Sequence, residues 1–129
     1  MVLDTSALLA LLLDEPEAEE FRAAVEEDTT RLVSAATLLE TALVIEARKG
    51  ELGGRELDWL IQKAEIVVVA VDAEHVSEAR RAYRRFGKGR HTAGLNFGDV
   101  FSYALARTSG EPLLFKGDDF AKTDIGRVT

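Results

Sequence analysis

The chain has 129 residues, no cysteine and two histidines, which allows one domain with a real core and excludes disulfides, thiolate zinc sites and a cysteine nucleophile. Its 16 Lys and Arg against 23 Asp and Glu give a net charge of −7, which argues against bulk attraction to nucleic acid but leaves room for a local basic groove. With imidazole scarce and thiolate absent, any metal falls to carboxylates, the donor set of a hard cation such as magnesium or manganese.

The opening "MVLDTSALLALLLDEPE" lacks the positive start of a secretory leader, and its apolar run from Ala7 stops at Asp14, too short to span a bilayer. The expectation is therefore a soluble, cytoplasmic fold with no membrane association. Residues 1–3 read as a short buried strand, and Thr5 or Ser6 is placed to cap a helix over 7–13. Pro16 suits the first turn of a helix over 16–28, whose early acids favour its N-terminus. "TRLVSA" reads as a second strand, followed by a helix from Ser34 or Thr37 to about "ARKGE", with Gly50 beyond its basic last turn. A helix over 55–64 precedes "EIVVVAVD", which reads as a buried strand rich in β-branched residues. Two further helices, ended by Gly87 and Gly110, flank the irregular segment 87–98, whose four glycines make it a candidate mobile loop beside a site. The last strand lies in "PLLFKGDDF" and ends at Phe115 or Lys116. Alternating strands and helices imply an α/β fold with a short, largely parallel central sheet, in one domain over residues 1–129.

In such sheets ligands bind beyond the carboxyl ends of the strands, and there Asp4 ends the first strand while Asp118 and Asp119 follow the last. Glu40 has Ala36, Thr37, Leu43 and Val44 as its helical neighbours, which sets it on or beside an apolar stripe. An unpaired charge there costs several kcal/mol, so it needs a cation, a basic partner or a proton, unless it escapes to solvent at the edge of the stripe. Asp99 opens a helix; with Asn96 as cap it occupies the third helical position, where an acid closes a capping box. Each acid alone has a structural explanation, but four separated segments each offering one favours a site. An all-oxygen pocket of this kind binds one or two divalent ions and supports phosphodiester hydrolysis without a histidine base. His75 and His91 have no spacing that makes them a pair.

The order "VLDTSALLALL", "SAATLLETALVI", "GRHTAGLNFGDVFSYALA", "LLFKGDDF" resembles the PIN-domain ribonucleases, most closely the VapC toxins of type II toxin–antitoxin pairs, and covers essentially the whole chain. The resemblance implies a three-layer PIN-like fold and a toxin that cleaves RNA with Mg2+, for which Mn2+ can substitute. By position, Asp4, Glu40 and Asp99 match the metal-site acids, with Thr5 or Ser6 as a neighbouring polar group and Asn96 orienting the loop that presents Asp99. "KGDDF" departs from the more usual threonine-x-aspartate pattern, so Asp118 is the first choice for the fourth acid and Asp119 the alternative. The resemblance also implies a cognate VapB-type antitoxin, an RNA substrate and a homodimer.

"ARRAYRRFGKGRH" concentrates Arg80, Arg81, Arg84, Arg85, Lys88 and Arg90, a candidate guide for a phosphate backbone or else a solvated face pairing with Glu74 and Glu78. Arg90, in the loop before Asp99, is the preferred substrate contact, together with Ser6 and Asn96. Phe97, Phe101, Tyr103 and Phe115 are expected to pack in the core, and Trp59 to pack or meet a partner. Two rival functions compete. A phospho-accepting receiver would use Asp72 and Lys116 but leaves Glu40 without a purpose, and a catalytically silent protein-binding module would have no reason to keep the acids.

Overall fold

The structure is a computed structural model describing residues 1–129. Four short strands, β1 (Val2–Leu3), β2 (Leu32–Ser34), β3 (Val67–Val69) and β4 (Leu113–Leu114), form one sheet in the order β3-β2-β1-β4, every pairing parallel. The helices are α1 (Thr5–Leu12), α2 (Ala18–Glu27), α3 (Ala35–Lys49), α4 (Glu51–Lys63), α5 (Ala73–Phe86) and α6 (Asp99–Ser109), with a 3-10 turn at Phe120–Lys122.

Alternation along each strand divides the core between the two faces of the sheet. Val2, Leu113 and Phe115 pack with α5 and α6, while Met1, Leu3, Val33 and Leu114 pack with α1 and α2. The result is the expected three-layer α/β arrangement. The chain leaves β1 toward β2 on one side, and β4 joins β1 on the other. The order therefore reverses between β1 and β4, and a crevice opens beyond their carboxyl ends. Asp4 and the Gly117–Asp119 turn both lie at that crevice.

The local signals act largely as expected, with instructive shifts. The cap of α1 is Asp4 itself, in extended conformation and accepting from the Ser6 amide, rather than Thr5 or Ser6. α4 starts at Glu51, four residues earlier than expected, and runs straight through two glycines. A Cβ on Gly53 would lie 2.7 Å from the Ile45 carbonyl oxygen, so α3 and α4 approach more closely there than a side chain permits.

Three expectations are corrected. β3 is a strand, but Val67 and Val68 are 56% and 44% exposed, because the strand sits at the sheet edge, and only Val69 packs against the core. On α3 the buried residues are Thr37, Thr41 and Ile45, whereas Leu39 and Leu43 are exposed, so the buried face carries hydroxyls beside the crevice rather than an apolar stripe. Segment 87–98 is anchored rather than free. Lys88 N–H donates to the Leu95 carbonyl at 2.8 Å, Leu95 N–H donates to that of Phe86 at 2.9 Å, and Ala93 and Leu95 are buried.

Candidate active site

Asp4 is only 4% exposed, yet no cation faces it. Its Oδ2 accepts from the Ser6 hydroxyl at 2.7 Å and the Ser6 amide at 3.1 Å, and its Oδ1 accepts from the Ser102 hydroxyl at 2.7 Å. Ser6 in turn accepts from the Lys116 amide at 2.9 Å, which ties the end of β1 to the segment leaving β4. The parallel pairing of β1 with β4 makes that possible.

Glu40, half-buried on α3, accepts from the Thr5 hydroxyl at 2.5 Å. Its carboxylate lies against Gly98, where an added Cβ would overlap Oε2. Glycine at 98 thus leaves room for the Glu40 carboxylate in its present place beside the start of α6. Asp99 and Asn96 form the expected reciprocal pair. The Asn96 amide donates to Asp99 Oδ2 and the Asp99 amide to Asn96 Oδ1, each at 2.9 Å.

Burial pushes Asp99 up to about 6 from an ordinary 3.8. The Asn96 amide pulls the other way, while the charges of Asp4, Asp119 and Glu40 add to the rise. These acids therefore share one electrostatic neighbourhood, and none of them, nor Asp118, forms an ion pair. Lys116, the nearest basic residue in sequence to Asp118, is turned to Glu15 and Glu17 at 3.5 and 3.4 Å. Asp118 and Asp119 are both exposed. In this arrangement no three Asp, Glu or His side chains are drawn up to metal-ligand spacing. Repulsion between uncompensated carboxylates opposes such closure in the protein alone. The donor chemistry nevertheless suits a hard divalent cation. It consists of carboxylate and hydroxyl oxygens around an uncompensated negative charge, with no thiolate or imidazole among them.

The remaining expected residues lie elsewhere or act indirectly. Arg90 is exposed and stacks over Tyr83 of α5, 5.9 Å from the ring centre. Arg81 pairs with Glu78 and Arg85 with Asp124, whereas Arg80 and Arg84 stay exposed without an acidic partner and line a shallow basic patch with Ser77 and Arg81. Tyr103 and Phe115 are buried and Phe101 is partly buried, but Phe97 is 79% exposed, contrary to the core-packing expectation. Its ring instead meets that of Phe101 edge-on at the surface, 5.1 Å between centres. Asp72 caps α5 and lies apart from the acids, as a receiver's acceptor would not. Ser102, Thr37, Thr41 and Gly98 were missed by sequence reasoning. Thr37 and Thr41, four residues apart on α3, were the one periodic signal available; Ser102 and Gly98 left none.

The fold and this acid crevice define a PIN domain: the PIN domain family model matches residues 1–126. The chain belongs to that family and, within it, to the VapC ribonucleases, toxins of toxin–antitoxin pairs. It is 64% identical over 128 residues to ribonuclease VapC30 of Mycobacterium tuberculosis, covering 99% of this chain and 98% of the relative. It is 60% identical to ribonuclease VapC of Mycolicibacterium smegmatis, covering 99% of each. Among solved structures it is similar in fold to M. tuberculosis VapC20, described as a sarcin-ricin loop cleaving toxin. The TM-score is 0.78 at 18% identity, covering 96% of this chain and 95% of that one. VapBC2 of Rickettsia felis, bound to a promoter DNA fragment, superposes with a TM-score of 0.76 at 12% identity, covering 98% and 94%.

Proposed function

We propose that this toxin hydrolyses RNA phosphodiester bonds with Mg2+, or Mn2+ in its place, held by Asp4, Glu40, Asp99 and an acid of the Gly117–Asp119 turn. The observation that carries the reading is the cluster of acids without a counter-ion at the crevice between β1 and β4. Asp119 is favoured over Asp118 as the fourth acid, because its charge is among those that raise Asp99. When bound, the ion supplies charge neutralisation at the phosphate and a more acidic water. Asp4 is held for this role by Ser6, whose hydroxyl donates to Asp4 and accepts from the Lys116 amide, with one lone pair left to meet substrate. Asn96 fixes the entry of α6 and the direction of Asp99. Arg90, with Arg80 and Arg84, guides the phosphate backbone toward acids that would otherwise repel it.

The activity resides in a single PIN domain, residues 1–129, acting in the cytoplasm as a homodimer under control of a cognate VapB-type antitoxin. Relatives in fold include a toxin–antitoxin complex from Klebsiella pneumoniae. The groove between α1, α2 and α4, floored by Leu11, Leu12, Val25, Trp59 and Leu60, suits an amphipathic antitoxin helix. The exposed Leu39 and Leu43 on α3 suit the face between two copies. No helix is long and apolar enough to cross a membrane.

The test is single-turnover RNA cleavage by the purified toxin with chelator, Mg2+ or Mn2+, for wild type, Asp118→Asn and Asp119→Asn. Cleavage should require the ion and fall further in Asp119→Asn. Full cleavage in excess chelator would overturn the metal reading, and a larger loss in Asp118→Asn would reverse the choice of fourth acid.

A further inference from the structure

The hydroxyls behind the acids have a direction. Ser102 lies on the buried face of α6, three residues beyond Asp99, with no exposed surface. Its oxygen is 2.7 Å from Asp4 Oδ1 and 3.2 Å from the Thr37 hydroxyl. An ionised carboxylate only accepts, so the single Ser102 hydroxyl proton points at Asp4. At its other contact the Ser102 hydroxyl can then only accept, and Thr37 must donate. The order is Thr37 to Ser102 to Asp4, a relay running from α3 through α6 to the end of β1. On the opposite oxygen Ser6 performs the same service from α1. Both Asp4 oxygens are thereby engaged from behind, and the carboxylate plane is set by groups on three different helices.

Neither residue has a competing explanation. Hydroxyls buried this deeply carry a desolvation cost that an Ala or Val would avoid. The Ser102 hydroxyl makes no other hydrogen bond, and the Thr37 hydroxyl makes none except to Ser102. Their common product is the orientation of one carboxylate.

We propose that Ser102, acting with Thr37, is a positioning residue that fixes the rotation of the Asp4 carboxylate for metal binding. The proposal rests on the assignment of Asp4 as a metal ligand. Outer-shell partners of this kind orient a ligand without touching the ion, and their loss weakens the site while the fold stays intact. Thr37 acts only through Ser102, so its contribution vanishes when Ser102 is absent.

The experiment is Mn2+ titration calorimetry on the purified full chain, paired with thermal melting in chelator, for wild type, Ser102→Ala, Thr37→Val and the double variant. Ser102→Ala should raise the Mn2+ dissociation constant about tenfold or more. Thr37→Val, which keeps the shape of the side chain, should raise it less, and the double variant should match Ser102→Ala. A purely structural hydroxyl would lower the melting temperature and leave Mn2+ affinity unchanged, which would overturn the proposal. So would Thr37→Val adding its full effect on top of Ser102→Ala. If Ser102→Ala does not fold, unchanged Mn2+ affinity in Thr37→Val overturns it equally. Absence of Mn2+ binding by wild type would sink the metal-site reading itself, whereas wild-type binding with unaffected variants sinks the positioning role alone.

Discussion

Two polar clusters, one of several carboxylates and one around a single carboxylate, lie on α6 and its surroundings, and they are built in opposite ways. At the first turn, Asp99 faces Asp4, Glu40 and Asp119 with no basic group among them. Toward the C-terminal half, Tyr103 donates to Asp124 at 2.5 Å, and Asp124 also meets Arg85 at 3.2 Å and Arg107 at 3.9 Å. Burial works against ionisation of Asp124, but the Tyr103 hydroxyl, Arg85 and Arg107 outweigh it and hold the carboxyl below its usual range. Tyr103 is pushed up to about 12 by burial and by the same bond, and so remains a neutral donor. One cluster is complete within the chain; the other has its negative charges gathered and nothing of the chain to balance them. A fold that supplies cations to Asp124 and withholds them at the crevice supports the proposed binding of a cation from solution there.

Substitution at the two clusters should break the comparison most visibly. Asp99→Asn should reduce metal-dependent cleavage by more than about a hundredfold, exceeding what loss of an outer-shell partner does, and leave the metal-free melting temperature equal or higher. Near-wild-type single-turnover cleavage by Asp99→Asn would return this acid to a capping role. Gly98→Ala is the next largest effect. The added methyl displaces Glu40 by roughly 1 Å, a misplacement that costs about a hundredfold in rate. Circular dichroism should report a folded chain, and wild-type rates in a folded Gly98→Ala protein would show that Glu40 needs no such approach.

At the balanced cluster the outcomes reverse. Tyr103→Phe should lower stability by about 1 kcal/mol, discounted for the partial exposure of Asp124, with cleavage unchanged. Denaturant unfolding beside the cleavage assay reads both. α5 allows a sharper comparison still, because it carries Arg85 paired and Arg80 and Arg84 unpaired. Alanine at Arg80, Arg84 and Arg90 together should flatten the salt dependence of RNA binding by about 0.7 in log–log slope for each phosphate released, and Arg85→Ala should not. Equal slopes for the triple variant and wild type would make the basic segment a solvated face.

The smallest effect is on pH dependence. Between 3.8 and about 6 the folded protein holds a proton on Asp99 that the unfolded chain has released, so this group adds stability as pH falls through 6 and lowers it above. Asp124 has the opposite sign. Its contribution is complete above the ordinary carboxyl value and is lost as pH falls through its lower folded value. Metal-free melting curves for Asp99→Asn should therefore lack the wild-type gain on acidification from pH 7 to 5, and those for Asp124→Asn should retain it.

What the sequence alone determined is whatever depends on a few consecutive residues. Ser34 caps α3, Gly110 ends α6, and Asn96 with Asp99 closes a box, because each needs only its own helix end. The alternation of strands and helices was enough for the class of fold, and the acids at the element ends were enough to suspect a site. Tertiary structure alone decided the rest. β3 carries a buried strand's composition yet is exposed, since exposure depends on which helices cover an edge. Phe97 lies outside the core although its neighbours Leu95 and Val100 are buried, a difference that only the path of the chain between them sets. Ser102 and Thr37 read as ordinary helix residues until α3 and α6 meet, because hydroxyl partners 65 residues apart leave no periodic trace in either segment. Asp118 and Asp119 belong to the same class: adjacent residues in one turn look alike in sequence, and only the tertiary structure puts the charge of Asp119 among those that raise Asp99.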